Sequence, residues 1–157
     1  MKKLLNAGKY TNTIDLALLV VRISIASLML VHGIPKMGML FSGNAIMFPS
    51  IFGLSPELSL SLTVFAEVIC SAFVLTGFGT RLAVVPLAIT MLVAILIVHA
   101  NDPFTNKELA IHYLFTYVVL FITGSGRYSL DYLLQPNNSK KTYLAVNTED
   151  PTLSIYQ

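Results

Sequence analysis

The stretch LSLSLTVFAEVICSAFVLTGF, residues 58–78, decides the fold. It carries one charge, Glu67, in a run otherwise apolar or small. At about 1.5 Å of rise per residue, a helix of this length crosses a hydrocarbon core of about 30 Å. Three further apolar stretches flank it: Ile14–Val31 before, Leu82–Val98 and Leu109–Thr123 after. The last is the shortest. In lipid the backbone must satisfy its own hydrogen bonds, so these stretches predict helices rather than strands. The expected fold is all-α, a four-transmembrane-helix bundle with a long first outer loop.

The connections agree. Thr76-Gly77-Phe78-Gly79-Thr80 is short enough only for a tight turn. Asn101-Asp102-Pro103 breaks the chain after the third stretch, because proline biases its neighbour towards extended geometry. Gly124-Ser125-Gly126 ends the fourth. The first outer loop, Gly33 to Glu57, holds Phe41, Phe48, Phe52, Met37, Met39 and Met47. It reads as a lid or as a segment resting on the headgroups.

Composition bounds the function. Only 11% of the 157 residues are charged and 55% are hydrophobic; the mean hydropathy is +0.72. A soluble domain carries about 25% charged residues. An ordinary soluble globule and a disordered tail are excluded. A net charge of +2 offers no basic stripe for nucleic acid. The single cysteine, Cys70, excludes an internal disulfide and a C-x-x-C redox pair. After Met1-Lys2-Lys3 the first apolar run continues past Arg22 to Val31 without an A-x-A-like cut site, so it reads as an uncleaved span.

Orientation follows from lysine and arginine in the loops. Lys2, Lys3, Lys9, Arg81, Arg127, Lys140 and Lys141 fall on one side; Lys36 and Lys107 fall on the other. Both termini are therefore expected in the cytoplasm. The chain divides into a cytoplasmic N-terminal segment (1–13), a membrane domain (14–134) and a polar cytoplasmic tail (135–157).

Charges inside a span are the candidates for chemistry. An ionisable group at the bilayer centre costs about 2.5–3.5 kcal/mol on insertion scales and needs a partner. Arg22 lies about 12 Å from the inner end of its span, and Glu67 about 13.5 Å from the outer end of its own. Both fall near the midplane, so Arg22–Glu67 is the expected buried pair. Thr63, Glu67, Cys70 and Ser71 share one helix face, and Arg22, Ala26, Met29 and Gly33 form a matching stripe. The pair reads equally as a proton relay or as a buried bridge fixing which helices pack.

Three histidines close the outer ends: His32, His99 and His112. No H-x-x-H or H-E-x-x-H spacing points to a metal, and no metal site is assigned. The rings are expected to relay protons or touch a quinone head; a transition-metal tripod and three separate interfacial histidines are the alternatives. Glu108 stands one turn before His112, where it could orient the imidazole or serve the helix dipole, with Asn106 as N-cap. Cys70 reads as inert packing.

Several motifs then resemble one family. Val31-His32-Gly33 with Pro35-Lys36 is similar to the "HG…K" end of the first span in DoxX-family membrane proteins. Glu67 sits where that family carries a glutamate. Leu75–Arg81 resembles its "LxGxxTR" turn, Val98-His99 its span-three histidine, and Gly124–Asp131 its "GxGRYSLD" exit. Cys70 and Ser71 stand where small glycines are common, and the tail after Pro136 has no counterpart. The resemblance covers roughly residues 14 to 134. It implies an integral membrane protein linked to respiratory and sulfur redox chemistry.

The resulting expectation is an oxidoreductase-associated subunit in a bacterial or archaeal inner membrane. Glu67 and Arg22 would relay protons or pair. His32, His99, His112, Lys36 and Glu108 would serve a quinone or its protons. Its partners would be the lipid bilayer, a redox subunit and a second copy of the chain. The alternatives are a small proton-coupled permease and a non-catalytic anchor or assembly partner.

Overall fold

A computed structural model of the chain describes residues 12–135. The N-terminal segment (apart from Asn12 and Thr13) and the polar tail (apart from Gln135) lie outside the described residues. So do Lys2, Lys3, Lys9, Lys140 and Lys141.

The described residues form five helices: α1 (Asn12–Phe41), α2 (Pro56–Thr76), α3 (Thr80–Val98), α4 (Phe104–Thr123) and α5 (Leu130–Leu133). The all-α expectation holds. Helices α1, α2 and α3 are long and apolar enough to cross a membrane. Helix α4 has 20 residues but opens on the polar run Thr105-Asn106-Lys107-Glu108.

Helix α1 corrects the expected end at Val31. It continues through Pro35 to Phe41. Proline at 35 gives up only its own bond to the Val31 carbonyl, and Lys36 ties the turn beyond it to α2. The expected long first loop therefore shrinks to residues 42–55, where Met47 and Phe52 are exposed.

Helix α2 starts where the sequence supplies a cap. The Ser55 hydroxyl accepts from the Leu58 N–H at 3.3 Å, and Pro56 takes the first helical position. Over Phe65–Cys70 the helix widens to a π-helical turn. It ends on Gly77, in the left-handed region at φ +73°. A side chain there would collide with the Arg22 guanidinium and with Ser129, so glycine is required for closeness as well as for φ. Helix α3 also ends in a π-helical turn, Ala94–Val98, with the His99 N–H reaching the Ala94 carbonyl at 2.9 Å.

Helix α4 starts five residues before the expected Leu109, directly after Pro103. Asn106, expected as its N-cap, lies inside the first turn and donates to Asp102 at 3.2 Å. Helix α5 is capped by Ser129, whose hydroxyl accepts from the Tyr132 N–H.

The four long helices close a ring: α1 packs on α2, α2 on α3, α3 on α4, and α4 returns to α1. One core joins them, with Ala26 and Met29 from α1, Cys70 and Val74 from α2, Leu87 from α3 and Tyr117 from α4. The outward faces stay apolar, with Leu28, Leu96, Phe115 and Ile122 all more than half exposed. Such a surface demands lipid rather than water.

Candidate functional site

Every buried position of α1 lies on one stripe: Asp15, Leu18, Arg22, Ala26, Met29 and Gly33. The stripe carries two polar sites to opposite ends of the bundle.

At the Gly77 end, Arg22 is 1% exposed. Its Nη1 donates to the Ser125 carbonyl at 2.7 Å and its Nη2 to the Tyr128 carbonyl at 2.8 Å. One planar fork thus holds the segment that leaves α4. Two carboxylates finish the joint. Asp131 accepts from the Gly79 N–H at 2.7 Å and the Thr80 N–H at 3.3 Å, capping the start of α3. Asp15 accepts from the Arg127 N–H at 2.9 Å. Arg127 donates to Asn12 at 3.0 Å, and Arg81 reaches the Ile122 carbonyl at 3.1 Å at the end of α4. This end is a latch made of main-chain groups.

At the other end stands Glu67, 2% exposed. Lys36 Nζ meets both of its carboxylate oxygens, at 2.5 and 2.7 Å. The lysine side chain keeps 31% exposure, while the carboxylate side keeps 3%. The pair is therefore reachable from one side only. Gly33 allows it: a Cβ there would come within 3.0 Å of Glu67 Cβ and 2.9 Å of Val68. The absent side chain lets α1 press on α2 at the level of the acid. The widened turn Phe65–Cys70 contains Glu67 itself, and such turns concentrate at functional sites. From α4, Tyr113 and Tyr117 lie within electrostatic reach of the carboxylate. Their rings are 6.1 Å apart, and Tyr113 meets the edge of His32, also at 6.1 Å.

The expected Arg22–Glu67 pair is not formed. Depth arithmetic places two Cα atoms at similar levels but leaves a long side chain free to reach away from that level. Arg22 goes to the carbonyls beyond α4 and Glu67 goes to Lys36. Sequence reasoning missed that second partner by ending α1 too early. The signal was present: Lys36 continues the Arg22, Ala26, Met29, Gly33 stripe at the next three-residue step.

The three histidines are not joined. His32 packs on Tyr113. His99 Nδ1 meets Asp102 at 2.8 Å. His112 Nδ1 meets the main-chain carbonyl of Glu108 at 2.8 Å. A carbonyl only accepts, so that ring nitrogen carries the hydrogen. The expected Glu108–His112 contact thus exists through the backbone and not through the carboxylate. Thr116, next on the same stripe, donates to the His112 carbonyl at 2.9 Å. Among the described residues no three His, Cys, Asp or Glu side chains gather as metal ligands. Cys70 is buried.

Residues 17–100 match the family model described as DoxX. The chain belongs to the DoxX family. No curated protein and no solved structure matches it. The DoxX match spans most of α1 and all of α2 and α3, so it includes Arg22, His32, Lys36, Glu67 and His99. The two tyrosines within electrostatic reach of the acid come from α4, beyond the matched stretch.

Proposed function

We propose that this multi-pass DoxX protein is a redox-linked, quinone-associated subunit whose proton-handling group is Glu67. One observation carries the reading: a carboxylate enclosed inside the bundle, held by an ammonium that is itself open to the outside. Lys36 Nζ donates to both Glu67 oxygens, so the contact sets a proton donor and an acceptor side by side. A group poised like this suits a reaction that takes up or gives off protons at membrane depth.

The donor set fits a quinone. Lys36 has three N–H bonds and the carboxylate occupies no more than two. His32 is exposed beside Tyr113, and the outward helix faces are apolar enough for an isoprenoid tail. When bound, a quinone supplies two-electron, two-proton chemistry. Lys36 and His32 would hold its polar head, Glu67 would exchange the proton, and Gly33 keeps the acid against α1. His99 and His112 serve locally in this reading, ordering the turn before α4 and its first turns. Arg22 is structural.

The same reading places α4 across the membrane as a fourth span, with Asn12 and Gln135 on the cytoplasmic side of a bacterial or archaeal inner membrane. A redox partner subunit would exchange the electrons.

Quinone extraction from the purified full chain tests the function directly. A stoichiometric quinone in the wild type, lost in Lys36→Met and in Glu67→Gln, is expected. Absence of any retained quinone, together with no binding when quinone is added to the protein in nanodiscs, overturns the reading. Solute uptake into proteoliposomes, abolished by the same variants, would put a carrier in its place.

A further inference from the structure

Two enclosed hydroxyls on the helices that face one another across Glu67's level, Ser71 Oγ and Tyr117 Oη, have no hydrogen-bond partner among the described residues. Both residues are fully enclosed, at 0% and 1% exposure. Other serine and threonine hydroxyls in the helices return to a carbonyl one turn back, as those of Ser61, Thr63, Thr76, Thr90, Thr116 and Thr123 do. Ser71 does not, although the Glu67 carbonyl sits four residues before it. Its hydroxyl is left for something else.

The placement of the two groups is consistent. Ser71 follows Glu67 by four residues, on the same face of α2. Tyr117 follows Tyr113 by four residues on α4, and side chains on a helix lean back towards its N-terminus. The Tyr117 ring therefore leans towards the level of Tyr113 and Glu67, and the carboxylate acts on it electrically. Helices α2 and α4 stand diagonally across the ring, and Ala26 of α1, 1% exposed, belongs to the core they share. Enclosed polar atoms left without a protein partner are where internal water binds, and such a water makes about three hydrogen bonds.

We infer that Ser71, Tyr117 and Glu67 together bind one internal water molecule, on the side of the acid away from Lys36. The water donates one hydrogen to the Glu67 carboxylate and the other to Ser71 Oγ, and it accepts from the Tyr117 hydroxyl. Every partner then has its bond. The carboxylate consequently has two hydrogen-bonding neighbours: the Lys36 ammonium, open to the outside, and a water sealed inside the bundle. Tyr113 and His32 flank the outer side and are not needed to hold the water. The inference does not depend on a quinone, since it concerns only how the acid is solvated.

Infrared difference spectroscopy on the full chain in nanodiscs tests it. Exchange into H2-18O should shift a sharp O–H stretching band in the wild type, while serine and tyrosine hydroxyl bands stay in place. Ser71→Ala and Tyr117→Phe should each remove that water band and move the Glu67 carboxylate stretch. The double variant should move the stretch no further than the larger single change. Ser61→Ala, whose hydroxyl serves the Glu57 carbonyl, should change neither band. No isotope-sensitive band in the wild type overturns the inference without any variant being made. Independent, additive effects of the two substitutions overturn it as well. A preparation without quinone can give the expected bands, so failure of the proposed function reads separately.

Discussion

Among the described residues Lys36 is the cation that answers Glu67, and removing either partner strands the other. Breaking a fully buried pair costs about 3–5 kcal/mol; because the Lys36 side chain keeps 31% exposure, Glu67→Ala should cost less, about 1–3 kcal/mol. Thermal unfolding in nanodiscs measures it. The exchanged pair Lys36→Glu with Glu67→Lys should recover part of the loss, whereas either half alone should not. Arg22 makes a different demand. Lysine cannot hold two carbonyls at fixed angles, so Arg22→Lys should lose about 1–3 kcal/mol. Gly77→Ala should lose at least as much, since it meets both an unfavourable φ and the guanidinium. The sequence showed that Arg22 and Glu67 needed partners, because charge in lipid is expensive. It did not show which partners, because main-chain carbonyls at Ser125 and Tyr128 leave no trace in residue type.

Helices were legible from length and hydropathy; their ends were less so. Ser55-Pro56 and Gly77 mark the limits of α2 by ordinary capping chemistry. The end of α1 was misplaced because the apolar run stops at Val31, yet tertiary contacts at Gly33 and Lys36 carry the helix onward. The widened turns in α2 and α3 have no residue signature. Asp131 drew no role from the sequence, although it closes the start of α3 from fifty residues away. Asp131→Ala should cost about 1 kcal/mol, the usual value of a helix cap, and should raise hydrogen exchange first at Gly79 and Thr80. The α3–α4 turn carries a pH dependence. Its Asp102 carboxyl is held below the ordinary carboxylate range, first by the hydrogen bond with His99 and then by that with Asn106. A lowered folded pKa means the contact's stabilisation is present above about pH 4 and is lost as pH falls through the lower, folded value. NMR of the His99 ring should therefore show the contact intact at pH 5 and opened only below about pH 4.

For the molecule as a whole, the arrangement in the membrane is the quantity to measure. With α4 as a fourth span, loop 42–55 and the segment after Gly124 lie on opposite sides. In a Cys70→Ser background, Ala45→Cys and Tyr128→Cys should accept a membrane-impermeant maleimide from opposite faces of intact cells and inverted vesicles. Labelling of both from one face would leave three crossings. Charge asymmetry made this legible only as an expectation, since five of its ten basic residues lie outside residues 12–135. The division of labour between the bundle's ends was not legible at all, because it depends on where two long cationic side chains turn.

The widened turn at Phe65–Cys70 also constrains how this chain can change. It gives α2 local slack that a regular helix lacks. Excising a single residue such as Ile69 would close the wide turn to a regular α-helix, and five residues of α-helix turn the chain through nearly the same angle as six of the wider coil. Ser71 and Val74 would stay on the interior, and Gly77 would still meet the Arg22 fork. A gene shortened there by one codon would encode a chain whose two ends remain coupled, whereas the same loss at Ala72, in the regular part of the helix, would swing the residues after it by about 100°.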